Sequence, residues 1–320
     1  MEARAGASPA SPANGSVSII VESYNLAEGG ESERMFRSFR AASEMASRLN
    51  GEVLLADSSG NAELREVMAR DFPTITHVEA PGQGYEGSKM KAVARASGDF
   101  ILFLDGDCIP DAPDWAEKHL TALREPQTAA TAGFTRYDHG FLAAVSSVMD
   151  FGVLLPAARD TVECYTSNNC GFKRDTLTSC PIPEGPLRCR CFYHAQLLKR
   201  RGTPVRMVGA AKVRHEVQPF FAERYRRGYD IVAACWLDPA LPEARLLRLG
   251  PLAAPLLYAG LLVQDLKRVW TGRRDLGLTR RQSLAAMPLF PVLRIVDLAG
   301  MLRALIIPKS RRRAAVQIDH

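Results

Sequence analysis

The sequence predicts an α/β fold: a mostly parallel central sheet with helices on both faces, followed by a helical C-terminal region that associates with membrane. Three observations carry this expectation. Four short, nearly continuous apolar runs precede residue 105, each followed by a helix-like pattern. That is how strands buried on both faces read. Polar or acidic residues stand just past those runs, where an open parallel sheet places its ligand. After about residue 218 the chain becomes apolar and basic at once.

"VSIIV" (17–21) is the first strand and ends in "ESYN". A helix-like stretch runs from Ser32 to Leu49, opened by Ser-x-x-Arg rather than a full capping box. "EVLLA" (52–56) is the second strand and ends in "DSSG", and a polar helix follows over 62–70. "ITHVEA" is the third strand and "FILFL" (100–104) the fourth. Residues 114–124 read as helix, "TAATAGF" (128–134) as strand and 140–157 as a long apolar helix. "CYTSNNCGFKRDTL" reads as a polar turn running into a helix. "CFYHAQLLKRRG" is an amphipathic helix with Gly202 as its C-cap, and "PVRMVGAAKVRHE" supplies the last strand.

With 320 residues and 47 % hydrophobic content the chain can bury a sizeable core. Its net charge of +6 favours anionic partners such as phosphates, nucleotides and acidic lipid surfaces. Nucleic acid is not an expected partner. The seven cysteines lack the paired CxxC spacing of a zinc site, although Cys164, Cys170, Cys180, Cys189, Cys191 and His194 lie close in sequence. Reduced thiols are expected. Residues 1–15 carry an acid and prolines without an apolar core, so they read as a disordered tail and not a secretory signal.

"GQGYEG" (82–87) spells G-x-G-x-x-G, and an acid closes the next strand in "FILFLDGDC". A dinucleotide fingerprint has that outline. Its glycines should follow the first strand of the domain, however, and here two βα units come first. The glycines are better read as a flexible loop whose Lys89 and Lys91 can meet phosphate oxygens. The acids point the same way. Asp105 and Asp107 straddle Gly106 at the end of a buried strand, and Gly106 lets the chain turn without a Cβ clash. Two such carboxylates converging on one side of the turn repel, unless a divalent cation sits between them and a second anion. Mn2+ or Mg2+ held by few carboxylates plus a diphosphate is the expected cofactor.

"SIIVESYN", "EVLLADSSG", "GYEGSKMKAVARASGDFILFLDGDCIP" and "SNNCGFKRDTL", in that order, resemble family 2 glycosyltransferases over about residues 16–217. The resemblance implies the GT-A fold of nucleotide-diphospho-sugar transferases over 16–217, with 218–320 as a separate helical region. It also implies a metal-dependent inverting transfer from a UDP- or GDP-linked sugar, UDP slightly ahead. Ser23 and Tyr24 would line the base pocket, with Glu22 beside it. Asp57 would accept a base N–H, although it could equally cap the following helix. Lys89 would lie near the base or diphosphate. Asp105 and Gly106 would contact ribose or sugar. Asp107, with Asp105 and His215, would hold the metal. Asn168 and Asn169 would form the floor under the transferred sugar.

Inversion needs a base for the acceptor proton. The family's usual position falls here on Cys191, after Arg190, and neither suits that role. Glu184, slightly upstream, is the expected substitute, with Arg188 and Arg190 as acceptor binders if the acceptor is already ionised. A catalytically silent sugar-nucleotide binder would also explain the gap. A nucleotidyltransferase would want its glycine-rich loop after the first strand, where this chain has "ESYNLAEGG".

"LGPLAAPLLYAGLLV" (249–263) and "SLAAMPLFPVLRIVDLAGMLRALIIP" have basic flanks, and neither offers about 20 uninterrupted apolar residues. Helices lying at a membrane interface are expected. That favours a lipid, lipid-linked or glycan acceptor and a peripheral or monotopic place at the cytoplasmic face of the plasma membrane.

Overall fold

The computed structural model describes residues 15–23, 32–138, 140–155, 160–183, 190–216, 220–237 and 241–307. Tyr24, Glu184, Arg188, Cys189 and the terminal stretch 1–14 lie outside them.

The first half alternates strand and helix: β1 (Val17–Glu22), α1 (Ser32–Arg48), β2 (Glu52–Asp57), α2 (Ala62–Asp71), β3 (Thr76–Glu79), α3 (Gly84–Val93) and β4 (Phe100–Asp105). Then come β5 (Cys108–Pro110), α4 (Trp115–Leu123), β6 (Ala130–Tyr137), α5 (Phe141–Phe151), β7 (Thr161–Val162), β8 (Asn169–Lys173), α6 (Arg174–Ser179), α7 (Cys191–Arg200) and β9 (Val205–His215).

The strand order is β3-β2-β1-β4-β8-β6-β9-β5, with β7 also on β9. The sheet is mixed, not mostly parallel. β1 runs parallel to β2 and β4, and β2 to β3. β8 runs antiparallel between β4 and β6. β9 is parallel to β6 and antiparallel to β5 and β7. β8 lies within the segment expected to turn into a helix. Its opening residues, Ser-Asn-Asn, are turn formers, and the strand starts only on the last of them.

Side chains along a strand alternate between faces, and here both faces are covered. Ile101 and Phe103 of β4 join one core with Ile20, Leu54 and Val148. Phe100, Leu102 and Leu104 join the other with Ile19, Val53 and Phe39. This two-sided burial is why the strands read as unbroken apolar runs.

Two buried histidines serve this core. His119 Nδ1 meets Thr131 Oγ1 at 2.9 Å, and its Nε2 meets Asn169 Oδ1 at 3.1 Å. His194 Nδ1 meets Tyr165 Oη at 2.8 Å, and its Nε2 meets the Cys180 carbonyl at 2.7 Å. His194 is thus a packing residue and joins no metal cluster among the described residues. Burial pushes both imidazoles down to about 4. Their folded-state pKa lies below the unfolded value near 6.5. Their contribution is therefore fully present above pH ~6.5 and is lost as pH falls toward 4. Each is worth on the order of 3 kcal/mol across that window. Urea midpoints measured from pH 7 to pH 4 should fall steeply, and His119→Gln should flatten the fall. A midpoint constant over that range would contradict the assignment.

The C-terminal helices are α8 (Phe220–Leu237), a 3-10 stretch (Pro242–Leu252), α9 (Ala253–Thr271), α10 (Arg280–Ala286), α11 (Leu289–Leu293) and α12 (Ile295–Ile306). α8 and α12 cross at two glycines. A Cβ on Gly228 would strike the Asp297 carbonyl, and one on Gly300 the Tyr225 carbonyl. Leu276, Leu278, Ala286 and Phe290 pack into the core of the sheet. Two residues that interrupt the apolar pattern are interior partners. Arg294 pairs with Asp265 at 2.7 Å and with Asp297 at 2.9 Å, all three buried. The helical stretch Glu243–Thr271, 29 residues, is long and apolar enough to cross a membrane by length and composition. Within it Gly250 (φ 58°, ψ −136°) leaves the helical region beside Pro251, and the uninterrupted apolar run still falls short of about 20 residues. Only 17 % of its apolar window is buried, so it is not an ordinary core helix.

Candidate active site

β1, β2, β4, β6 and β9 all point the same way, so their carboxyl ends share one edge of the sheet. Three clusters stand along that edge.

The first is built on Asp57 at the end of β2. Ser23 Oγ donates to its Oδ1 at 2.6 Å, and Ser59 donates to the same oxygen from N and Oγ at 2.9 and 2.6 Å. His77 Nε2 lies 2.9 Å from Oδ2. Burial alone would raise the carboxyl. The hydrogen bonds, His77's foremost, outweigh it and hold Asp57 well below the usual carboxylate range. Each carboxylate oxygen can accept about two bonds, so Oδ2 keeps capacity for a further donor. Asp57 does not cap α2. Asn61 does, accepting from Glu63 N and Leu64 N. Glu22 is buried nearby and accepts from Ser58 Oγ at 3.3 Å.

The second cluster surrounds Asp105. Its Oδ1 is 2.6 Å from Lys89 Nζ, and its Oδ2 accepts from Tyr85 Oη at 2.6 Å. Lys89 is fully buried, also donates to the Ser167 carbonyl at 3.0 Å, and sits 3.8 Å over the Tyr85 ring. Burial would lower its pKa, but Asp105 and the neighbouring Glu86 and Glu22 raise it. Lys89 is thus committed to Asp105 rather than reaching for phosphate. Lys91 Nζ donates to the Glu79 carbonyl at 2.7 Å. The glycines do not make a flexible loop either. Gly82 and Gly84 take positive φ (75° and 64°), and α3 starts at Gly84, so Gly87 is already helical.

The third cluster is Asp107, Cys108 and His215, whose ligand atoms lie within 4.8 Å of one another. His215 Nδ1 is 2.6 Å from the Glu216 carbonyl. That contact keeps the proton on Nδ1 and turns the Nε2 lone pair toward Asp107. Nε2 and Asp107 Oδ2 stand 3.3 Å apart. Two acceptors that close need a proton or a cation between them, and a carboxylate with an imidazole suits a divalent metal. Burial pushes the Cys108 thiol well up, which leaves Asp107 and His215 the readier ligands of the three. The rings of Tyr137 and Phe151 pack on His215 with centroids 5.6 and 5.7 Å away.

The expected acids therefore part instead of converging. Asp105 is neutralised by Lys89, whereas Asp107 faces His215, so Asp105 does not join the metal cluster. Between them Gly106 is needed for close approach. A Cβ there would lie 2.7 Å from the Glu22 carbonyl, to which Gly106 N donates at 2.9 Å. Arg34 of α1 locks the turn to β9, donating from Nε to the Asp107 carbonyl at 2.7 Å and from Nη2 to the Arg214 carbonyl at 3.1 Å.

A cavity of about 810 Å³ opens beside the second and third clusters. Asp105, Asp107, His215, Ser167, Asn168 and Cys191 form polar parts of its wall. Leu246, Leu256, Leu257 and Leu261 of the C-terminal helices form apolar parts. Asn168 takes a hydrogen bond from Thr135 Oγ1 at 2.9 Å. Asn169 does not reach the cavity. It points the other way along β8, where Trp115 Nε1 donates to its Oδ1 at 2.8 Å and its Nδ2 donates to the Ala211 carbonyl at 3.1 Å. Arg190, just before α7, donates to the Pro183 carbonyl at 3.3 Å and lies outside the cavity wall. Tyr24 and Glu184 fall outside the described residues.

Several residues of the site carried weak signals. His77 stands between Thr76 and Val78 in the strand beside the one bearing Asp57, where nothing in the sequence sets it apart from its polar neighbours. Tyr85 and Glu86 stand within "GQGYEG", where the glycines drew the attention. Ser167 opens "SNNCGF".

A mixed sheet ending in an acid-glycine-acid turn, with a histidine from the last strand beside the second acid, is the GT-A architecture. Residues 18–175 match the family described as glycosyl transferase family 2. Among solved structures, it is similar to a mannosyltransferase from Pyrobaculum calidifontis in complex with GDP-Man and Mn2+. The TM-score is 0.59 at 18 % identity, covering 97 % of this chain and 89 % of that one. It is also similar to glucosyl-3-phosphoglycerate synthase from Mycobacterium tuberculosis in complex with Mn2+, UDP and glucosyl-3-phosphoglycerate. There the TM-score is 0.51 at 17 % identity, covering 73 % and 85 %. At these identities the likeness establishes the fold. A curated relative, the uncharacterized glycosyltransferase YfnE of Bacillus subtilis (strain 168), is 26 % identical over 119 residues, 36 % of this chain. The match spans 29 % of that protein's length.

Proposed function

We propose that the chain is a metal-dependent, inverting glycosyltransferase that moves a sugar from a UDP- or GDP-linked donor to a lipid or lipid-linked acceptor at a membrane surface. The observation that carries this reading is the Asp107–His215 pair, two acceptors 3.3 Å apart in the wall of a partly apolar cavity.

In this reading Ser23 and Asp57 hold the base, Asp105 the ribose or sugar, and Asn168 the sugar floor. Asp107 and His215 hold Mn2+ or Mg2+. When bound, the metal stabilises the departing diphosphate as a Lewis acid. Lys89 holds Asp105 in place. Trp115 and the Ala211 carbonyl hold Asn169 away from the cavity, and Arg190 stands beside Cys191 as an acceptor binder.

The leucines of the 3-10 stretch and α9 support a lipid acceptor. So do the exposed Leu252, Leu256 and Val263, flanked by Arg245, Arg248 and Lys267. Apolar side chains beside cations suit an acidic bilayer surface, and the cytoplasmic face supplies one. A silent sugar-nucleotide binder gains support only from the lack of an acid at 190–191.

One incubation tests the reading: the full chain, Mn2+, labelled UDP-glucose or GDP-mannose, and vesicles of total membrane lipid. Protein in the vesicle pellet and label in the organic phase are expected. Protein left in the supernatant, with no label in lipid, would count against the membrane acceptor.

A further inference from the structure

We propose that Glu86 accepts the proton the acceptor loses, reached from the cavity through the hydroxyl of Ser167. This rests on the transfer reading above and supplies the group that Arg190 and Cys191 cannot.

Glu86 is 4 % exposed. Its Oε1 is 3.0 Å from Ser167 Oγ and 3.8 Å from Cys191 Sγ, and Ser167 and Cys191 both line the cavity. Its Oε2 is buried with no hydrogen-bond partner among the described residues. A buried carboxyl oxygen left unpaired costs about 1–3 kcal/mol, so a purely structural role would favour glutamine or a hydrophobe here. The carboxyl instead stands one hydroxyl away from the space an acceptor would fill, on the first turn of α3.

The charged groups around it are Lys89 and Tyr85 of α3, Asp105 of β4, and Arg190 and Cys191 at the start of α7. Burial raises the Glu86 carboxyl, Asp105 adds to this, and Lys89, the Ser167 hydrogen bond and Arg190 oppose it. A carboxyl moved upward toward the working pH is a stronger base than an ordinary glutamate.

The step balances. The acceptor oxygen bonds to the anomeric carbon. The bond from that carbon to the diphosphate oxygen breaks, and its electron pair leaves with the nucleoside diphosphate. The acceptor proton passes to Ser167 Oγ, whose own proton passes to Glu86 Oε1. Glu86 acts through Ser167 and is a positioning and proton-holding residue.

The test compares wild type, Glu86→Gln and Glu86→Gln/Cys191→Asp as full chains. Mn2+-dependent UDP and GDP binding and nucleotide release from UDP-glucose and GDP-mannose are measured from pH 5 to pH 9. Glu86→Gln should bind nucleotide as wild type does. Its nucleotide release should fall by about 10²–10⁴-fold, and the acidic limb of the pH profile should vanish. Cys191→Asp puts a carboxylate into the cavity wall beside the same spot and should restore part of the rate. Unchanged release and pH profile in Glu86→Gln would overturn the proposal. So would a wild type that binds nucleotide yet releases none, or a double variant no faster than Glu86→Gln. Absence of nucleotide binding in wild type would instead overturn the transfer reading beneath it.

Discussion

Replacing Lys89 with methionine should destabilise the fold by about 3–5 kcal/mol, the usual cost of breaking a buried ion pair from one side. Lys89 is fully buried, and its ammonium bonds Asp105 at 2.6 Å. Methionine keeps the volume and removes the charge. Asp105 would then hold a buried negative charge against Tyr85 alone, with Glu86 and Glu22 close by. The second variant separates charge from packing. Adding Asp105→Asn to Lys89→Met removes the orphaned charge and should recover most of the loss. Urea denaturation reads both. A single-variant loss under about 1 kcal/mol would mean that the Lys89–Asp105 pair behaves as a solvated surface pair.

Replacing Asp107 with asparagine should lower Mn2+-dependent transfer by about 10³-fold, the scale set by removing one strong electrostatic stabiliser of a departing anion. Asparagine has the same shape and keeps the backbone contacts, the carbonyl bonds to Arg34 and Glu216 among them. Stability should therefore change little. The amide has no charge to share a cation with His215. His215→Ala should act in the same direction, with a smaller loss, because it leaves the charged ligand in place. Nucleotide release with Mn2+ titrated from zero measures both. A variant rescued to full rate by more Mn2+ would show weakened affinity alone, and one with unchanged rate would remove Asp107 from the site.

The first, second and fourth strands were legible because both their faces are covered, so "VSIIV", "EVLLA" and "FILFL" are apolar apart from Ser18 and Glu52. β8 was not. It is antiparallel, five residues long and begins within turn formers. β5 is shorter still and ends in a proline. The turn bearing Asp105 and Asp107 was legible because it follows a buried strand and stands in order after Asp57 and the Lys-bearing helix. Their division of labour was not, since Lys89 sits sixteen positions before Asp105 on a helix that reads as exposed. "GQGYEG" misled through its glycines. They shape the approach to α3, whereas Tyr85 and Glu86 hold the polar contacts. Arg294 and Asp297 looked like breaks in an apolar segment because Asp265, which pairs with Arg294, and Arg224, which pairs with Asp297, are on other helices. The same Asp265 ended the apolar run at Val263 on paper, although it faces Arg294 and the helix runs on to Thr271.

The central claim is a sugar-nucleotide site built on Asp107 and His215. Calorimetric titration of UDP, GDP and NAD, with and without Mn2+, into wild type and Asp107→Ala tests it most directly. UDP or GDP should bind only with Mn2+, the variant should bind neither, and NAD should give no heat. NAD binding without metal, equal in wild type and variant, would contradict the account and make "GQGYEG" a dinucleotide loop.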